Sequence, residues 1–521
     1  MSRSAPVLDT YLRPKIRQTG DHTLIAVAGA LLPAAEGLGA FYARHGDHLV
    51  WSTAKGPLPV AGSLLRLLRE PEVDGLGREG YHLQAIEAAW IGWSRGGGNR
   101  RALVRLTELD LLLTNAFMRR AHQLQGQVQP ANREWTGGTY ADPGALLDCA
   151  LAAGSVEEVL DRLRPAHPDY LRLCQGLATY QRLEAAGGWE PFAGGERPRR
   201  GQDGPAEAAL RRRLLAEGDL DSLAGGSGFD AALERALRRF QGRHGLAENG
   251  KVDGATEATL AVPAAQRVRQ LALNLERWRW LPPGPTARYL LVRLDDYTLD
   301  LVEEGQVVLR MKVVAGKAQW RTPVFHSTLT QIVLNPYWNV PPSIAREEIL
   351  PALRQNPALL EERGFMVVSG AGEQARVVPP DSLDLQAWSD DEWPYTFIQV
   401  PGPDNPLGRM KFLLPNPYNV YLHDTPNREL FSREVRDFSH GCIRLEKSME
   451  LAVRLLADNP EWTRTRLREI VQAGETRQVR LPNALPVYFG YWTARVDEAG
   501  LVHFNPDLYG ADARLEAVWD R

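Results

Sequence analysis

Three segments open the C-terminal half of the chain: Tyr289-Leu-Leu-Val-Arg-Leu294, Tyr297-Thr-Leu-Asp-Leu-Val302 and Gln306-Val-Val-Leu-Arg-Met-Lys-Val-Val314. Their apolar residues tend to recur with a period of two, which places alternate side chains on one face of an extended strand. Glu304-Gly305 separates the last two segments and predicts a tight turn. The sequence from residue 288 onward therefore predicts a β-rich domain.

The strand pattern continues downstream with one long interruption. Further strands are predicted at 329–334, 397–400, 410–414 and 420–423. Between the first and second of these, a helix starts over 344–353, and a polar stretch with Trp388 and Trp393 follows. A segment this long inside a compact sheet domain is usually functional. We therefore predict an inserted subdomain at about 345–400. This subdomain is expected to cap the active site of the β-rich domain, with its two tryptophans as apolar surface.

The chain before residue 263 is predicted to be helical. Apolar residues recur at helical spacing between residues 24 and 187, and a Gly/Pro/Arg-rich break over 187–207 is typical of a linker. A small helical module follows, with one helix from Phe229 to Gln241 and a turn at Asn249-Gly250. The predicted fold class is multi-domain α+β. Its domains are a helical scaffold at 1–205, the small module at 206–262 and a mostly β domain at 263–521.

Composition restricts the possible functions. A chain of 521 residues is too long for one core, because cores stop growing near about 300 residues. The net charge is −3 and no basic stripe is present, so we expect no nucleic-acid partner. No apolar stretch is long enough to span a membrane, and the apolar run at 24–32 is interpreted as the first helix of the mature domain, with no evident export signal. Three cysteines, Cys149, Cys174 and Cys442, predict at least one free thiol.

The most informative chemistry lies between residues 421 and 445. His423 ends a predicted strand, a loop of fifteen residues follows, and Ser439-His440-Gly441-Cys442 then precedes a helix whose N-cap is predicted at Ser448. A thiol attacks as its thiolate, and a neighbouring imidazole can take the proton and return it to a leaving amine. A glycine permits a tight turn, where successive backbone N–H groups can hold an oxyanion. These residues predict an acyl-transfer site.

Other interpretations of the same residues stay open at this point. Cys442 could be an inert buried thiol, and His440 could be a structural hydrogen-bonding residue. His423, His440 and Cys442 could also be zinc ligands. Structural zinc sites usually take four ligands in paired short spacings, which this stretch lacks.

The stretch resembles the signature of the L,D-transpeptidase (YkuD-type) family. That signature is a histidine, a spacer of about fourteen to seventeen residues, Ser/Thr-His-Gly-Cys and a hydrophobic residue. Many members have Asn at the position of Arg444, whereas the large multi-domain Gram-negative members have Arg. The segments that resemble this subfamily are Arg321-Thr-Pro-Val-Phe325, Leu334-Asn-Pro-Tyr-Trp338-Asn-Val-Pro-Pro342, Pro401-Gly-Pro-Asp-Asn405-Pro-Leu-Gly-Arg409-Met-Lys411-Phe, His167-Pro-Asp-Tyr170 and Gly187-Gly-Trp189. The resemblance covers nearly the whole chain.

The small module carries a resemblance of its own. The order Phe240-Gln241, His244-Gly245-Leu246 and Gly250-Lys-Val-Asp253 resembles the three-helix peptidoglycan-binding module of cell-wall enzymes. This resemblance implies that residues 206–262 bind peptidoglycan.

The family resemblance implies a role for each matching residue. Cys442 is expected to be the acylated nucleophile and His423 its base, with the backbone carbonyl of Asp424 orienting the imidazole. The amides of Gly441 and Cys442, with the Tyr421 hydroxyl, are expected to hold the oxyanion. The residues expected to shape the pocket or contact the substrate are Trp338, Asn405, Ser439, His440 and Arg444.

The resemblance also implies a reaction. Cys442 is expected to attack the third residue of a peptidoglycan stem, release D-alanine and pass the acyl group to a neighbouring amine, forming a 3–3 cross-link. The alternatives are an L,D-carboxypeptidase, an inactive peptidoglycan-binding scaffold or a zinc-dependent wall hydrolase. No metal or organic cofactor is expected, the partners are stem peptides and glycan strands, and the location is the periplasm. Carbapenem-type β-lactams are expected to acylate Cys442.

Overall fold

The computed structural model describes residues 25–32, 37–53, 55–69, 74–77, 80–96, 100–126, 140–190, 192, 197–221, 226–281, 287–370, 375–383, 385 and 393–519. These residues form two compact units. The helical unit lies within 1–284, 493–506 and 510–521, and the sheet unit comprises 285–492 and 507–509. This division sets no boundary at 206 or 263, so both predicted domain boundaries stay predictions.

The helical unit confirms a largely helical first half. Its helices are α1 (Leu38–Arg44), α2 (Pro59–Arg69), α3 (Leu83–Arg95), α4 (Arg100–Leu124), α5 (Pro143–Ala153), α6 (Val156–Asp161), α7 (Pro168–Ala185), α8 (Pro205–Ala216), α9 (Ala231–Arg243), α10 (Gly254–Leu260), α11 (Ala264–Arg279) and α17 (Ala511–Trp519). Its strands form three hairpins: β1 (Ile25–Val27) with β2 (Ala30–Leu32), β3 (Ser52–Thr53) with β4 (Gly56–Pro57), and β18 (Ala494–Val496) with β19 (Val502–Phe504).

The apolar run that begins this unit is not a helix. Residues 25–32 form the β1–β2 hairpin, in which Ala28 and Gly29 both have positive φ. Two successive residues in the left-handed region make the kind of tight turn that joins antiparallel strands. The predicted first helix is therefore wrong, because the apolar period does not reveal the backbone conformation of the turn.

Helices α8, α9 and α10 share a small core of their own within this unit. Phe240 and Leu237 are fully buried there, and the side chains of Asp230 and Asp253 cap α9 and α10. Gln241 donates to Asn249 Oδ1 over 3.0 Å and accepts from the Gly250 amide over 2.8 Å. The Phe-Gln and Asn-Gly pairs quoted above are therefore parts of one helix–turn–helix arrangement.

The sheet unit is built on nine strands. They are β5 (Arg288–Arg293), β6 (Thr298–Glu303), β7 (Gln306–Gly316), β8 (Phe325–Leu334), β13 (Met410–Leu413), β14 (Leu422–His423), β15 (Asp437–Ser439), β16 (Ile443–Leu445) and β17 (Arg477–Gly490), in the order β15-β7-β16-β14-β13-β8-β17-β5-β6. An additional pairing of β6 with β7 closes the sheet on itself. Two helices follow β16, α15 (Ser448–Leu455) and α16 (Arg464–Ala473).

The predicted insertion is a folded subdomain within this unit. Strands β9 (Trp338–Asn339), β10 (Phe365–Ser369), β11 (Arg376–Val378) and β12 (Tyr395–Gln399) form a sheet, and the helical segments are α12 (Pro342–Ile344), a π-helical turn (Ala345–Ile349), α13 (Leu350–Gln355) and α14 (Leu359–Glu362). We call residues 338–399 the inserted subdomain. Trp393 stacks on Phe397 in its core, with ring centroids 5.3 Å apart, so Trp393 is not the open apolar surface that was expected. Trp388 lies outside the described residues.

Candidate active site

The pairing of strands places the candidate catalytic side chains of the sheet unit on one face of the sheet. Lys411 of β13 lies opposite His423 of β14, and His423 lies opposite Arg444 of β16. The neighbouring row, Phe412, Leu422 and Ile443, is fully buried. Because side chains alternate along a strand, the first row projects away from that core. Tyr421 and Cys442 immediately precede Leu422 and Ile443, and the Ile443 amide donates to the Tyr421 carbonyl over 3.1 Å.

Cys442 is half-buried and surrounded by groups that can stabilise its anion. The thiol donates to the Asn419 carbonyl, with sulfur and oxygen 3.7 Å apart. The hydroxyl and backbone N–H of Tyr421 both donate toward the sulfur. Burial raises the pKa of Cys442, while Tyr421, Lys411 and Arg444 oppose that rise. The resting sulfur is therefore a thiol with its anion-stabilising groups already in position.

His423 is buried, and backbone carbonyls orient it. Its Nδ1 lies 2.5 Å from the Asp424 carbonyl, and backbone contacts with Asp424 and Pro406 oppose the lowering of its pKa. Burial, followed by the charges of Arg444 and Lys411, lowers the pKa of His423 to about 3. The imidazole is therefore neutral near neutral pH, which is the form that can accept a proton.

The turn that carries Cys442 is fixed by two buried hydroxyl groups. Ser439 Oγ donates to the Cys442 carbonyl over 2.5 Å and accepts from the Gly441 amide over 3.1 Å. Thr322 Oγ1 donates to the Gly441 carbonyl over 2.8 Å and accepts from the Gly316 amide over 3.0 Å. Gly441 has φ +110°, a conformation that favours glycine. Ser439 was expected to contact the substrate, and the Gly441 amide was expected to hold the oxyanion. In the structure, Ser439 is buried in the turn and the Gly441 amide is already bonded.

Two other predicted residues hold loops. The Asp424 carboxylate accepts from the Arg409 amide over 3.0 Å and from Ser448 Oγ over 2.8 Å, so Ser448 binds this carboxylate, and Lys447 is the N-cap of α15. Asn405 is fully buried, and its amide donates to the carbonyls of Pro336 and Val400. In this structure, Asn405 therefore supports backbone and is not exposed to a substrate.

The remaining predicted residues surround the thiol. Trp338 is nearly buried in the inserted subdomain and forms a side-chain hydrogen bond with Tyr421. His440 packs on Trp320, with ring centroids 4.0 Å apart, and its Nε2 lies 3.1 Å from Glu348 Oε1. Burial lowers the pKa of His440, and Glu348 opposes that change. Arg444 faces the sulfur, and its pKa is also lowered by burial.

Sequence reasoning missed several residues that support the site. Thr322, Lys411 and Glu348 are distant from Cys442 along the chain, and only strand pairing and loop packing bring them near it. Their sequence signal was weak: Thr322 and Lys411 occur in segments quoted for the resemblance, but nothing in those segments assigns them a role.

The zinc interpretation finds no support in the arrangement. In the part of the chain that the structure describes, no three His, Cys, Asp or Glu side chains are grouped so that they could hold a metal ion. Cys174 is buried, with a pKa raised to about 12 mainly by burial, and Cys149 is exposed far along the chain from this site.

Among the described helices, none is long and apolar enough to cross a membrane.

Cys442, His423 and Tyr421 thus lie on one face of the sheet unit. Comparison with known protein families gives three matches. The family described as L,D-transpeptidase catalytic domain (YkuD) matches residues 287–467. Residues 36–177 match the family described as Scaffold domain, and residues 203–260 match “Putative peptidoglycan binding domain”. The part of the chain that matches the L,D-transpeptidase catalytic domain lies within the sheet unit.

Individual relatives are similar over part of the chain. A Haemophilus influenzae protein named “Putative L,D-transpeptidase” is 35% identical over 255 residues, which is 48% of this chain and 50% of that protein. The chain thus spans about half the length of that curated relative. Solved L,D-transpeptidases from Xylanimonas cellulosilytica and Stackebrandtia nassauensis are 16% and 12% identical, with TM-scores of 0.17 and 0.21. Each match covers 58% of this chain, and 100% and 96% of those chains respectively. At these identities and TM-scores, nothing about the activity of this chain follows from them.

Proposed function

We propose that this protein is an L,D-transpeptidase that forms 3–3 cross-links in peptidoglycan through a thioester on Cys442. The observation that carries the proposal is the register of β14 and β16, which brings His423 and Tyr421 to the face that carries the thiol. Two donors of Tyr421 point toward the sulfur, and a neutral imidazole lies on the same strand. These are the nucleophile, base and donor that acyl transfer requires.

The proposed reaction has two balanced steps. The sulfur of Cys442 attacks the carbonyl carbon of the third stem residue, its proton passes to His423, and a C–S bond forms. The bond to the terminal D-alanine then breaks, and His423 returns the proton to the departing amine. In the second step, the amine of a neighbouring stem forms the new C–N bond and loses a proton to His423. The C–S bond breaks, the sulfur leaves with its electron pair, and His423 returns the proton to it, which restores the thiol and the neutral imidazole. Water in place of the amine would give the carboxypeptidase reaction.

The protonation states favour proton transfer during attack over a preformed ion pair. The pKa of His423 is lowered to about 3, and burial raises that of Cys442. A neutral base on the same face of the sheet as a neutral thiol would therefore take the proton as the sulfur attacks. The cationic form of His423 then exists only while the tetrahedral intermediate does.

The oxyanion is assigned to Tyr421 and the Cys442 amide. Burial and the adjacent sulfur raise the pKa of Tyr421, so its hydroxyl keeps its proton at any working pH. The Gly441 amide is bonded to Ser439 Oγ in this structure, which is why it is left out of the proposed oxyanion site. The Trp338 side chain bonds to the same hydroxyl and fixes its direction.

We propose that the inserted subdomain covers the bound thioester. Two contacts support this role: Glu348 of its π-helical turn faces His440 beside the nucleophile, and Tyr421 packs against its core. π-helical turns are often found at functional sites. A cover that excludes water would favour an amine over hydrolysis as the acceptor.

The match of residues 203–260 supports peptidoglycan as the partner that holds the enzyme on its substrate. Since peptidoglycan lies outside the cytoplasmic membrane, we propose that the protein acts in the periplasm on wall organisation and cell shape.

The proposed function is tested by incubating the full chain with sacculi that carry tetrapeptide stems and analysing the muropeptides by mass spectrometry. Dimers linked between the third residues of two stems are expected from the wild type and not from folded Cys442→Ala. Tripeptide monomers without dimers would instead assign the carboxypeptidase reaction. Release of neither product would leave a wall-binding scaffold.

A further inference from the structure

Lys411 lies on the same face as His423, and the proposed reaction assigns it no step. It is directly opposite His423 in the β13–β14 pairing, and its neighbour Phe412 points into the core. Lys411 and Arg444 thus occupy the two strands that flank β14, one on each side of His423. The thiol therefore lies on a face bordered by two cations.

Lys411 contacts a residue that itself contacts the nucleophile. Its Nζ lies 3.8 Å from the centroid of the Tyr421 ring, which is a cation–π contact. The hydroxyl of that same ring donates toward the Cys442 sulfur. Lys411 is thus one contact away from the sulfur, through a ring whose position it helps to hold.

The half-buried ammonium group of Lys411 also differs from other cations of the sheet unit in its ion pairing. Among the described residues, no carboxylate lies within ion-pair distance of Lys411. Elsewhere in the sheet unit, Arg293 and Arg310 face Asp300 over 2.5 Å and 2.7 Å. Burial lowers the pKa of Lys411, and the Cys442 sulfur is the group that opposes this change. Since a partly buried charge without a counter-ion is costly, an anion is expected beside it during function.

We propose that Lys411 is a positioning residue of the thiol site, whose ammonium group holds the Tyr421 ring and stabilises the Cys442 thiolate by its charge. The inference rests on the proposed function only in taking Cys442 as the nucleophile. On ionisation, the sulfur keeps the electron pair of the S–H bond and the proton leaves to His423 or water. Lys411 stays protonated throughout and supplies charge without donating a proton.

Several charged or titratable groups face the sulfur and must be considered with Lys411. His423 comes from β14, Tyr421 lies just before this strand, and Arg444 comes from β16. Glu348 and Glu429 act on Arg444 from outside the row. These groups all remain in the chain when Lys411 is replaced, and only the Tyr421 ring loses a contact with it. Comparing a neutral with a charged replacement of Lys411 therefore separates the effect of the ammonium charge from the effects of the other groups.

The test is the pH profile of Cys442 alkylation by iodoacetamide in the full chain, with the modified cysteine identified by peptide mapping. Lys411→Met should raise the apparent pKa of Cys442 by about one unit, because an opposite charge within a few ångströms shifts a pKa by about 1–3 units. Below that pKa, the alkylation rate should fall by about tenfold. Lys411→Arg keeps the charge and should stay within about threefold of the wild type.

Lys447→Met is the matched control, because Lys447 is exposed, lies five positions from Cys442 and donates to the Arg310 carbonyl. Its profile should superimpose on that of the wild type. Superimposed profiles for Lys411→Met and wild type would overturn the inference, as would an equal rise in Lys411→Arg, which would show that charge is not the cause. Circular dichroism checks the fold, and Lys411→Gln replaces Lys411→Met if the latter unfolds. Alkylation needs no stem peptide, so the two proposals can fail separately. Transpeptidation can be absent while Lys411 shifts the pKa of Cys442, and transpeptidation can occur while Lys411 has no effect on it.

Discussion

Thr322→Val removes one hydroxyl that two backbone groups of the catalytic turn share. Thr322 is 1% exposed, and its Oγ1 bonds the Gly441 carbonyl over 2.8 Å and the Gly316 amide over 3.0 Å. Valine has nearly the same shape but neither donates nor accepts. The substitution should therefore leave the packing intact and free the carbonyl next to Cys442.

The magnitude follows from the two groups that lose their partner. Each unsatisfied buried group costs about 1–3 kcal/mol, so the local stability of the turn should fall by roughly 2–6 kcal/mol. Hydrogen exchange of the Gly316 amide should then be at least about tenfold faster, since each 1.4 kcal/mol of opening free energy is a factor of ten. Acylation of Cys442 by a tetrapeptide donor should fall by about tenfold or more, because a nucleophile displaced by a fraction of an ångström loses its alignment.

Thr328→Val serves as the control, because Thr328 is an exposed threonine on β8 and the same atoms are exchanged. The assays are peptide-resolved hydrogen exchange and the rate of acyl-enzyme formation by intact mass. Unchanged exchange at Gly316 together with wild-type acylation would refute the reasoning that Thr322 holds the turn.

Three further predictions concern the same site. Tyr421→Phe should slow acyl-enzyme formation by about 10²–10³-fold, which is the cost of losing one oxyanion donor. A fall in this rate of less than about threefold would show that the hydroxyl has no part in the mechanism. Because the pKa of His423 is lowered to about 3 and burial raises that of Cys442, acylation should stay level between about pH 5 and 7, whereas an acid limb with a midpoint near 6.5 would contradict the buried neutral base. Glu348→Gln weakens the contact with His440 and should raise the share of hydrolysed product by about two- to fivefold without changing Cys442 alkylation; equal product ratios would show that this contact does not hold the cover.

Sequence patterns predicted the elements whose signal is local. Strands β5, β6, β7 and β13 lie within about two residues of their predicted positions, because half-buried strands show their period directly. The resemblance to the L,D-transpeptidase family followed from His423, its spacing to Cys442 and the Ser-His-Gly-Cys sequence, and it is confirmed by the match over residues 287–467. The inserted segment was predicted from its length alone and is a folded subdomain.

What the sequence could not supply depends on register and turn geometry. Thr322 lies 120 positions before Cys442, and only the pairing of distant strands brings its hydroxyl to the Gly441 carbonyl. Ser439 was expected to meet the substrate, but the turn at Gly441 directs its hydroxyl back onto the backbone. Ser448 was expected to cap its own helix, but its hydroxyl bonds the Asp424 carboxylate. In each case, a short polar side chain had several possible partners, and tertiary structure selected one.

The central claim is that Cys442 carries the acyl group. The most direct measurement is the intact mass of the full chain after brief mixing with a tetrapeptide-bearing muropeptide, followed by peptide mapping. We expect one adduct whose mass is the donor minus D-alanine, attached to Cys442 and absent from folded Cys442→Ala. An adduct on any other residue, or 3–3 dimers formed by Cys442→Ala, would contradict it.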